Sequence, residues 1–564
     1  MRMRLGIGAL LLSLSLFGGL ALAAEVQQTV AGLPATEALR LGEIMYQKGL
    51  LPSGAPIPAL VQGEIELDGT MATCTHCHLP SGLGSLEGGI VSPPTNGIKL
   101  YAPLRGPKDI PGATMKRSMF TSPSRPAYTD ESLSRVLISG VDPAGRTLSE
   151  TMPRYLLDEK EMDIMIFYLK NLSSQFSPGV SQTEIRFATV VTGDVSPADR
   201  DALLVPLQAY IRDDWNARLK LFSDQYNAVW NNSTIPATGS VYRKIELDVW
   251  ELKGSPDTWG QQLETYYRQK PVFALLGGIA GGSWAPVHDF CEKNQIPCIL
   301  PVTDLPVVSE TDRYTLYFSK GLYQEGEAAA KYLSRVFTLP EDRQIVQVFR
   351  DDERGRALAK GFAVTWEKLG NVKLIDRIVP ADGKIEKEFW LELSSAYPGA
   401  ATLLWLDTAD LAGVGALADS KNRPLVVSGS MLSGNFVSLP DSVREFTFIT
   451  YPTRLPEEIA YSSSMVKNWL VYKKLPVTNL KIASYVSLLK SLLTETLLNT
   501  GGDYYRQYFL DGLDESKDQV NSSMVYPVLS FGPGQRYASK GCYIVTLTKG
   551  ENPSFVKQSE WVIY

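Results

Sequence analysis

The apolar positions of this chain fall into two textures. Toward the N-terminus they make helical stripes: Ala38, Leu41, Ile44 and Met45 share one face, with Gly42 beside them where another helix can approach closely. Met162, Met165, Ile166, Leu169 and Leu172 form a second stripe behind an Asp158-x-x-Glu161 start. Beyond residue 182 the pattern changes. Short apolar runs (IRFATVV, PVFALLGG, QIVQVFR, ATLLWLD, RPLVVSG) alternate with helical stretches such as GEAAAKYLSRVF and ALAKGFAVTWEKLG. That alternation predicts parallel sheets covered by helices on both faces, with room for two lobes between 183 and 564. The stretch LSSQFSPGVSQ at 172–182 is rich in Ser, Pro and Gly and lacks charge, so residues 175–182 read as a flexible linker.

The first residues, MRMRLGIGALLLSLSLFGGLALAAEVQ, join a basic start to an apolar run and the small-residue pattern Ala21-Leu22-Ala23. They predict a secretory signal over 1–23, cut after Ala23 or Ala24, and hence a periplasmic protein. A retained anchor fits less well, because Gly and Ser interrupt the run and it is short for a span. No later segment reaches about 18 uninterrupted apolar residues, so no membrane span is expected in the mature chain. At 564 residues the chain needs several domains, and 44% hydrophobic with 21% charged residues is ordinary for globular protein. A net charge of -6 is small for this length and gives no sign of a nucleic-acid partner.

Two of only three histidines and two of five cysteines crowd into MATCTHCHLPS. Cys74, Cys77 and His78 spell C-x-x-C-H, the spacing for covalent attachment of a c-type haem. Two thioethers would tether the porphyrin edge, and His78 would ligate the iron from below. A dithiol redox motif needs a strand-to-helix start that these Gly- and Pro-rich surroundings lack. A structural zinc site needs four ligands, and no second Cys-His pair lies nearby.

The remaining histidine, His288, lies far downstream, so a methionine is the expected sixth ligand to the iron. Met115, Met119 and Met152 are candidates. Met152 is favoured, since the Met-Pro pair in GRTLSETMPRY lies in an irregular loop just before a helix. Lys99, Arg105, Lys108, Lys116, Arg117 and Arg125, against a lone Asp109, suggest a basic surface for an acidic redox partner, or else a solvated loop.

With these residues in hand, 33–174 resembles a class I monohaem cytochrome c, carried by CTHCH, by RPAYTDESLSRVLISGVDPAGRTLSETMPRY and by the flanking helices. The resemblance implies a small all-α electron-transfer domain with His78 and Met152 as axial ligands. The insertion at about 49–70 departs from that pattern and is expected to leave the ligands untouched.

In the larger part, PVFALLGGIAGGSWAPVHDF places Gly277, Gly278, Gly281 and Gly282 between a strand and a helix opened by Ser283 and Trp284. Neither a P-loop nor a G-x-G-x-x-G is present, so phosphate binding is not indicated. The next strand end, IPCILPVTDLP, supplies Thr303 and Asp304. These stretches, with YFSKGLYQEGEAAAKYL and IVQVFRDDERGRALAKGF, resemble the type I periplasmic ligand-binding proteins, specifically receptors for branched-chain amino acids and related amides. The resemblance implies two lobes closing on a small ligand, an amino acid or amide, with Ser283 and Thr303 holding its carboxylate; Gly282 and Asp304, beside them in sequence, are further candidates for the site. Where that family often has a Tyr-Gly pair, this chain has Arg354-Gly355. Asp407 and Asp304 are each candidates to pair an ammonium group, with turn or cap roles the plainer reading. Cys291 and Cys298, in FCEKNQIPC, are placed either for a disulfide or as two buried thiols.

No catalytic constellation is present, so no enzyme is expected. Three functions remain: a periplasmic cytochrome coupled to a ligand-binding or docking domain, a solute receptor of an uptake system with an accessory haem, or the redox subunit of a periplasmic dehydrogenase.

Overall fold

A computed structural model describes residues 29–62, 65–87, 90–104, 124–217, 243–336, 344–370, 373–418, 423–515, 525–532 and 534–563. The expected signal segment at 1–23 lies outside them. The chain partitions into two units: residues up to 76 with 128–171, and residues 77–127 with 172–564. The stretch 77–127, expected within the 33–174 domain, therefore groups with the C-terminal body.

In the larger unit, five parallel strands form one sheet in the spatial order Lys244–Leu252, Glu184–Thr192, Ala274–Leu276, Cys298–Ile299, Thr315–Leu316. A second sheet repeats that winding: Leu374–Val379, Ile345–Arg350, Ala401–Trp405, Leu425–Ser428 and Thr447–Tyr451 are parallel, and Gly541–Leu547 and Phe555–Lys557 extend the edge antiparallel. Both sheets are buried on both faces, which is why their strands read as unbroken apolar runs. Phe187 and Val191 enter one core with Leu203 and Leu489, while Ala188 and Val190 enter another with Trp250 and Trp284. In the second sheet Val346 and Val348 face Trp390, and Ile345 and Phe349 face Phe362. The expected two-lobed, doubly wound architecture is what forms.

The chain crosses into the second lobe after Thr315–Leu316 and returns after Thr447–Tyr451 to add helices Leu480–Asn499 and Arg506–Glu515 to the first core. It then crosses again to supply Gly541–Leu547. On the second lobe, helices Leu322–Val336 and Glu353–Lys368 touch backbone to backbone. A Cβ on Gly361 would fall 2.1 Å from the Tyr323 carbonyl oxygen, and one on Gly326 would fall 2.3 Å from that of Leu358.

The expected linker is not a free tether. Phe176 stacks against Tyr505 with centroids 6.0 Å apart, and the Arg243 guanidinium lies 4.3 Å from its ring centre. The Arg506 amide donates to Ser177 Oγ at 2.9 Å. Gly179, with φ of 84°, lies so close to the next strand that a Cβ would be 2.3 Å from the Phe273 nitrogen. Three of its residues are thus fastened to the first lobe.

In the smaller unit, helix Ala35–Lys48 crosses helix Glu159–Asn171 at Gly42, where a Cβ would meet that of Tyr168 at 2.4 Å. This unit is not all-α. The insertion folds into a hairpin, Pro58–Val61 with Ile65–Asp68, and Arg154–Tyr155 pairs with its other edge. The extended run PALV has main-chain groups on both edges to satisfy, and these two segments satisfy them. The insertion thereby pairs with Arg154–Tyr155, shortly after Met152.

Gly361→Ala is expected to force the two second-lobe helices apart and cost about 1–3 kcal/mol, read from denaturant unfolding of the full chain. A midpoint equal to that of the unaltered protein would contradict the close crossing.

Candidate functional site

In sheets wound in this order, ligands bind beyond the carboxyl ends of the strands where the winding direction reverses. In the first lobe that point lies between the ends of Glu184–Thr192 and Ala274–Leu276. A cleft of about 550 Å³ opens there, lined by Asp194, Lys253, Trp259, Gly282, Ser283 and, from the second lobe, Glu353. The loop after Ala274–Leu276 is shaped by Gly278, whose φ of 99° is left-handed and whose Cα faces the Trp284 ring, 2.6 Å from where a Cβ would stand. Gly281 leaves space for Asp194, whose carboxylate accepts the Thr192 hydroxyl and the Gly281 amide, the latter at 3.3 Å. A Cβ at 281 would lie 2.6 Å from Asp194 Oδ2.

The expected ligand residues divide. Gly282 and Ser283 line the cleft, and Ser283 Oγ accepts the Ala285 amide at 3.2 Å, which leaves its own hydroxyl proton to donate. Thr303 supports them from behind: its hydroxyl donates to the Gly282 carbonyl at 3.1 Å and accepts the Leu305 amide at 3.0 Å. Asp304 serves through its main chain, its carbonyl accepting the Leu322 amide at 3.0 Å where the chain crosses lobes. Asp407 is a turn residue, accepting the amides of Ala409 and Asp410.

At the matching end of the second lobe the protein fills its own site. Arg350 donates to Asp410 at 2.6 Å and to the carbonyls of Pro380, Ala381 and Gly383 at 3.0, 2.9 and 2.9 Å. That lobe offers the cleft Glu353, at the start of the helix that carries Arg354 and Gly355. The cleft therefore presents two carboxylates, one ammonium, one hydroxyl and an indole edge, chemistry suited to a small polar ligand. Asp194, Lys253 and Glu353 were missed by sequence reading, since single charged residues after strands carry no periodic signal.

Around the C-x-x-C-H motif, Thr75–His78 forms one helical turn that crosses from one unit to the other. Cys74 is half-buried and Cys77 exposed, and neither is in a disulfide. Within the smaller unit, Cys74 Sγ stands 4.0 Å from the Tyr155 hydroxyl, which donates to the Ala72 carbonyl at 2.8 Å. Within the larger unit, His78 Nδ1 lies 2.8 Å from the Pro93 carbonyl oxygen. A carbonyl only accepts, so Nδ1 carries the proton and the neutral ring keeps its lone pair on Nε2. Burial lowers the pKa of this imidazole, and the Pro93 bond opposes the shift. Cys74, Cys77 and His78 are the residues that would hold a covalently attached haem: two thiols for its thioethers and an imidazole whose Nε2 carries a lone pair. Pro93, in VSPPTNG, was not anticipated.

Met152 is half-buried at a bend in the smaller unit; its amide donates to the Ser149 carbonyl at 3.1 Å and its own carbonyl accepts from Arg154 at 2.6 Å. Met115 and Met119 lie outside the described residues. So do Arg105, Lys108, Asp109, Lys116 and Arg117 of the expected basic surface. The two described members turn inward: Lys99 pairs with Asp503 at 3.3 Å, and Arg125 donates to the carbonyls of Lys99, Leu100, Ala102 and Pro126.

Cys291 and Cys298 are brought together as buried neighbouring thiols, and burial raises the pKa of Cys291 first, contact with Cys298 second. His288 is structural, held between Tyr317 at 3.0 Å and Asp312 at 2.9 Å. Among the described residues no helix is long and apolar enough to cross a membrane.

Residues 237–421 match the family model described as periplasmic binding protein. Solved structures of similar fold include an ABC transporter substrate-binding protein from Sphaerobacter thermophilus, at 13% identity and a TM-score of 0.47 over 67% of this chain and 98% of that one. Another is a branched-chain amino acid ABC transporter from Thermus thermophilus with bound valine, at 12% identity and 0.43 over 68% and 98%. A fatty acid ABC transporter substrate-binding protein from Thermomonospora curvata shows 16% identity and 0.42 over 69% and 95%. A search of the curated proteins finds no match.

Thr303→Val removes both bonds of a hydroxyl that ties two strand ends together. It should cost about 1–2 kcal/mol in denaturant unfolding and speed amide exchange at Leu305. Unchanged exchange at Leu305 would contradict the role given to Thr303.

Proposed function

We propose that this chain is a periplasmic solute-binding protein whose first-lobe cleft takes a small polar ligand, and that it carries one covalently attached haem c for single-electron transfer. The receptor half rests on the cleft at the reversal point of a doubly wound sheet; Lys253, Trp259, Gly282, Ser283 and Glu353 of its lining fall in the stretch that matches the periplasmic binding protein model, and Asp194 lies before it. The ligand class follows from the lining. Asp194 and Glu353 favour an ammonium group, while the Ser283 hydroxyl and Lys253 favour a carboxylate, so an amino acid or short amide is the expected occupant.

The haem half rests on the hydrogen bond from His78 to Pro93, which turns an ordinary histidine into a ready axial donor. Cys74 and Cys77 would hold the group through thioethers and Met152 would be the sixth ligand. When bound, haem supplies a one-electron couple. The chain's own part is to set that couple: the Pro93 carbonyl makes His78 more basic, and within the larger unit Ser173 bonds to Ser81 in the loop that follows His78. An electron donor or acceptor protein is therefore implied. A dehydrogenase is one such partner, although nothing in the described residues favours it over another.

Calorimetry of the purified, haem-loaded chain against amino acids and short amides should show one saturable site in both redox states. Asp194→Asn should weaken an ammonium-bearing ligand at least tenfold, about 1.4 kcal/mol. Equal affinity for the variant, or no binding by any member of either class, would overturn the assignment of the cleft.

A further inference from the structure

Three residues beyond His78, the chain is gripped by the receptor body. The Ser81 amide donates to Asp511 Oδ2 at 3.1 Å, and the other oxygen of that carboxylate takes the Arg313 guanidinium at 3.1 Å. Ser81 is fully buried and Asp511 is 3% exposed. The Ser81 carbonyl accepts the Ser173 hydroxyl at 2.7 Å, and its own Oγ accepts the Leu83 amide at 3.2 Å, so every polar atom of Ser81 is engaged. The next residue passes the constraint on. The Gly82 carbonyl accepts the amides of Thr95 at 2.7 Å and Asn96 at 3.1 Å, two and three residues after Pro93, whose carbonyl holds His78. The Gly84 amide closes the loop on the His78 carbonyl at 3.1 Å. A buried carboxylate contributed from more than four hundred residues away thus anchors Ser81, and Gly82 beside it bonds the strand-side end of the loop that orients the imidazole.

We propose that Asp511, held by Arg313, is a positioning residue for His78: it sets the Nδ1 hydrogen bond, and through it the redox balance of the iron, from within the receptor domain. The inference rests on the haem reading for its redox consequence but not for its geometry. It also locates the coupling within the first lobe. Asp511 lies on helix Arg506–Glu515, whose first residue donates to the carbonyls of Val272 and Phe273 at 2.6 and 2.8 Å, at the start of the Ala274–Leu276 strand. The ligand cleft opens at the opposite end of that strand. The grip therefore holds the proximal loop to the closed end of the lobe, where ligand entry makes no contact.

The test uses the full chain with histidine labelled in its side-chain nitrogens, feasible because there are only three histidines. In the haem-free protein, His78 should show a single tautomer protonated at Nδ1, and the amides of Ser81–Gly84 should be protected. Asp511→Ala should mix the two tautomers and raise exchange of those amides at least tenfold, while Asp511→Asn, which keeps an oxygen for Ser81, should restore most of the protection. In haem-loaded protein, Asp511→Ala should shift the ferric–ferrous equilibrium at least threefold toward ferrous, because a weaker bond to Pro93 makes His78 a poorer donor. Affinity for the cleft ligand should not change, which separates the effect from general unfolding. A variant with one tautomer, unchanged exchange and unchanged redox balance would overturn the proposal. A chain that never acquires haem would refute the haem reading alone, and the tautomer and exchange results would still decide the positioning role.

Discussion

The bond between the His78 ring and the Pro93 carbonyl is the constraint on which the functional reading depends. Without it, C-x-x-C-H is a spacing; with it, one nitrogen of the ring is committed and the other has its lone pair available. That bond exists only because the loop between the two residues is held in register. The Gly82 carbonyl takes two amides at once, and Ser81 is locked by partners from 173 and 511. The stretch after the motif consequently folds as part of the larger unit, and a boundary drawn from sequence at residue 174 cuts through a hydrogen-bonded network.

The two lobes are the same winding used twice with opposite outcomes at the site. In the first, the strand ends carry glycines that clear space for the Asp194 carboxylate, leaving a hydroxyl and charges facing the cleft. In the second, Arg350 at the matching strand end spans Asp410 and three carbonyls. Recognition chemistry is thus concentrated on one lobe, and the second contributes chiefly the start of a helix.

Much of the architecture was legible from periodicity. Unbroken runs such as ATLLWLD marked strands buried on both faces, and Gly42 within an apolar stripe marked a helix crossing, because both signals are local. The glycine-rich loop at 281–284 was legible for the same reason. What escaped were features made by distant partners. PALV and IELD look unremarkable until Arg154–Tyr155 supplies a second edge, so the smaller unit was expected to be all-α. The Ser-Pro-Gly composition of 172–182 speaks of flexibility only if nothing binds it, and Arg243, Tyr505 and Arg506 bind it. Thr303 was expected to touch ligand, but its hydroxyl is spent on Gly282 and Leu305.

The functional reading requires a haem joined to the chain's own sulfurs. Mass spectrometry of the peptide containing Cys74 and Cys77, from protein matured in a host that attaches c-type haem, tests it most directly. The account predicts that the peptide carries the mass of one haem on both thiols. A peptide with free thiols, or with a disulfide between them, would contradict it.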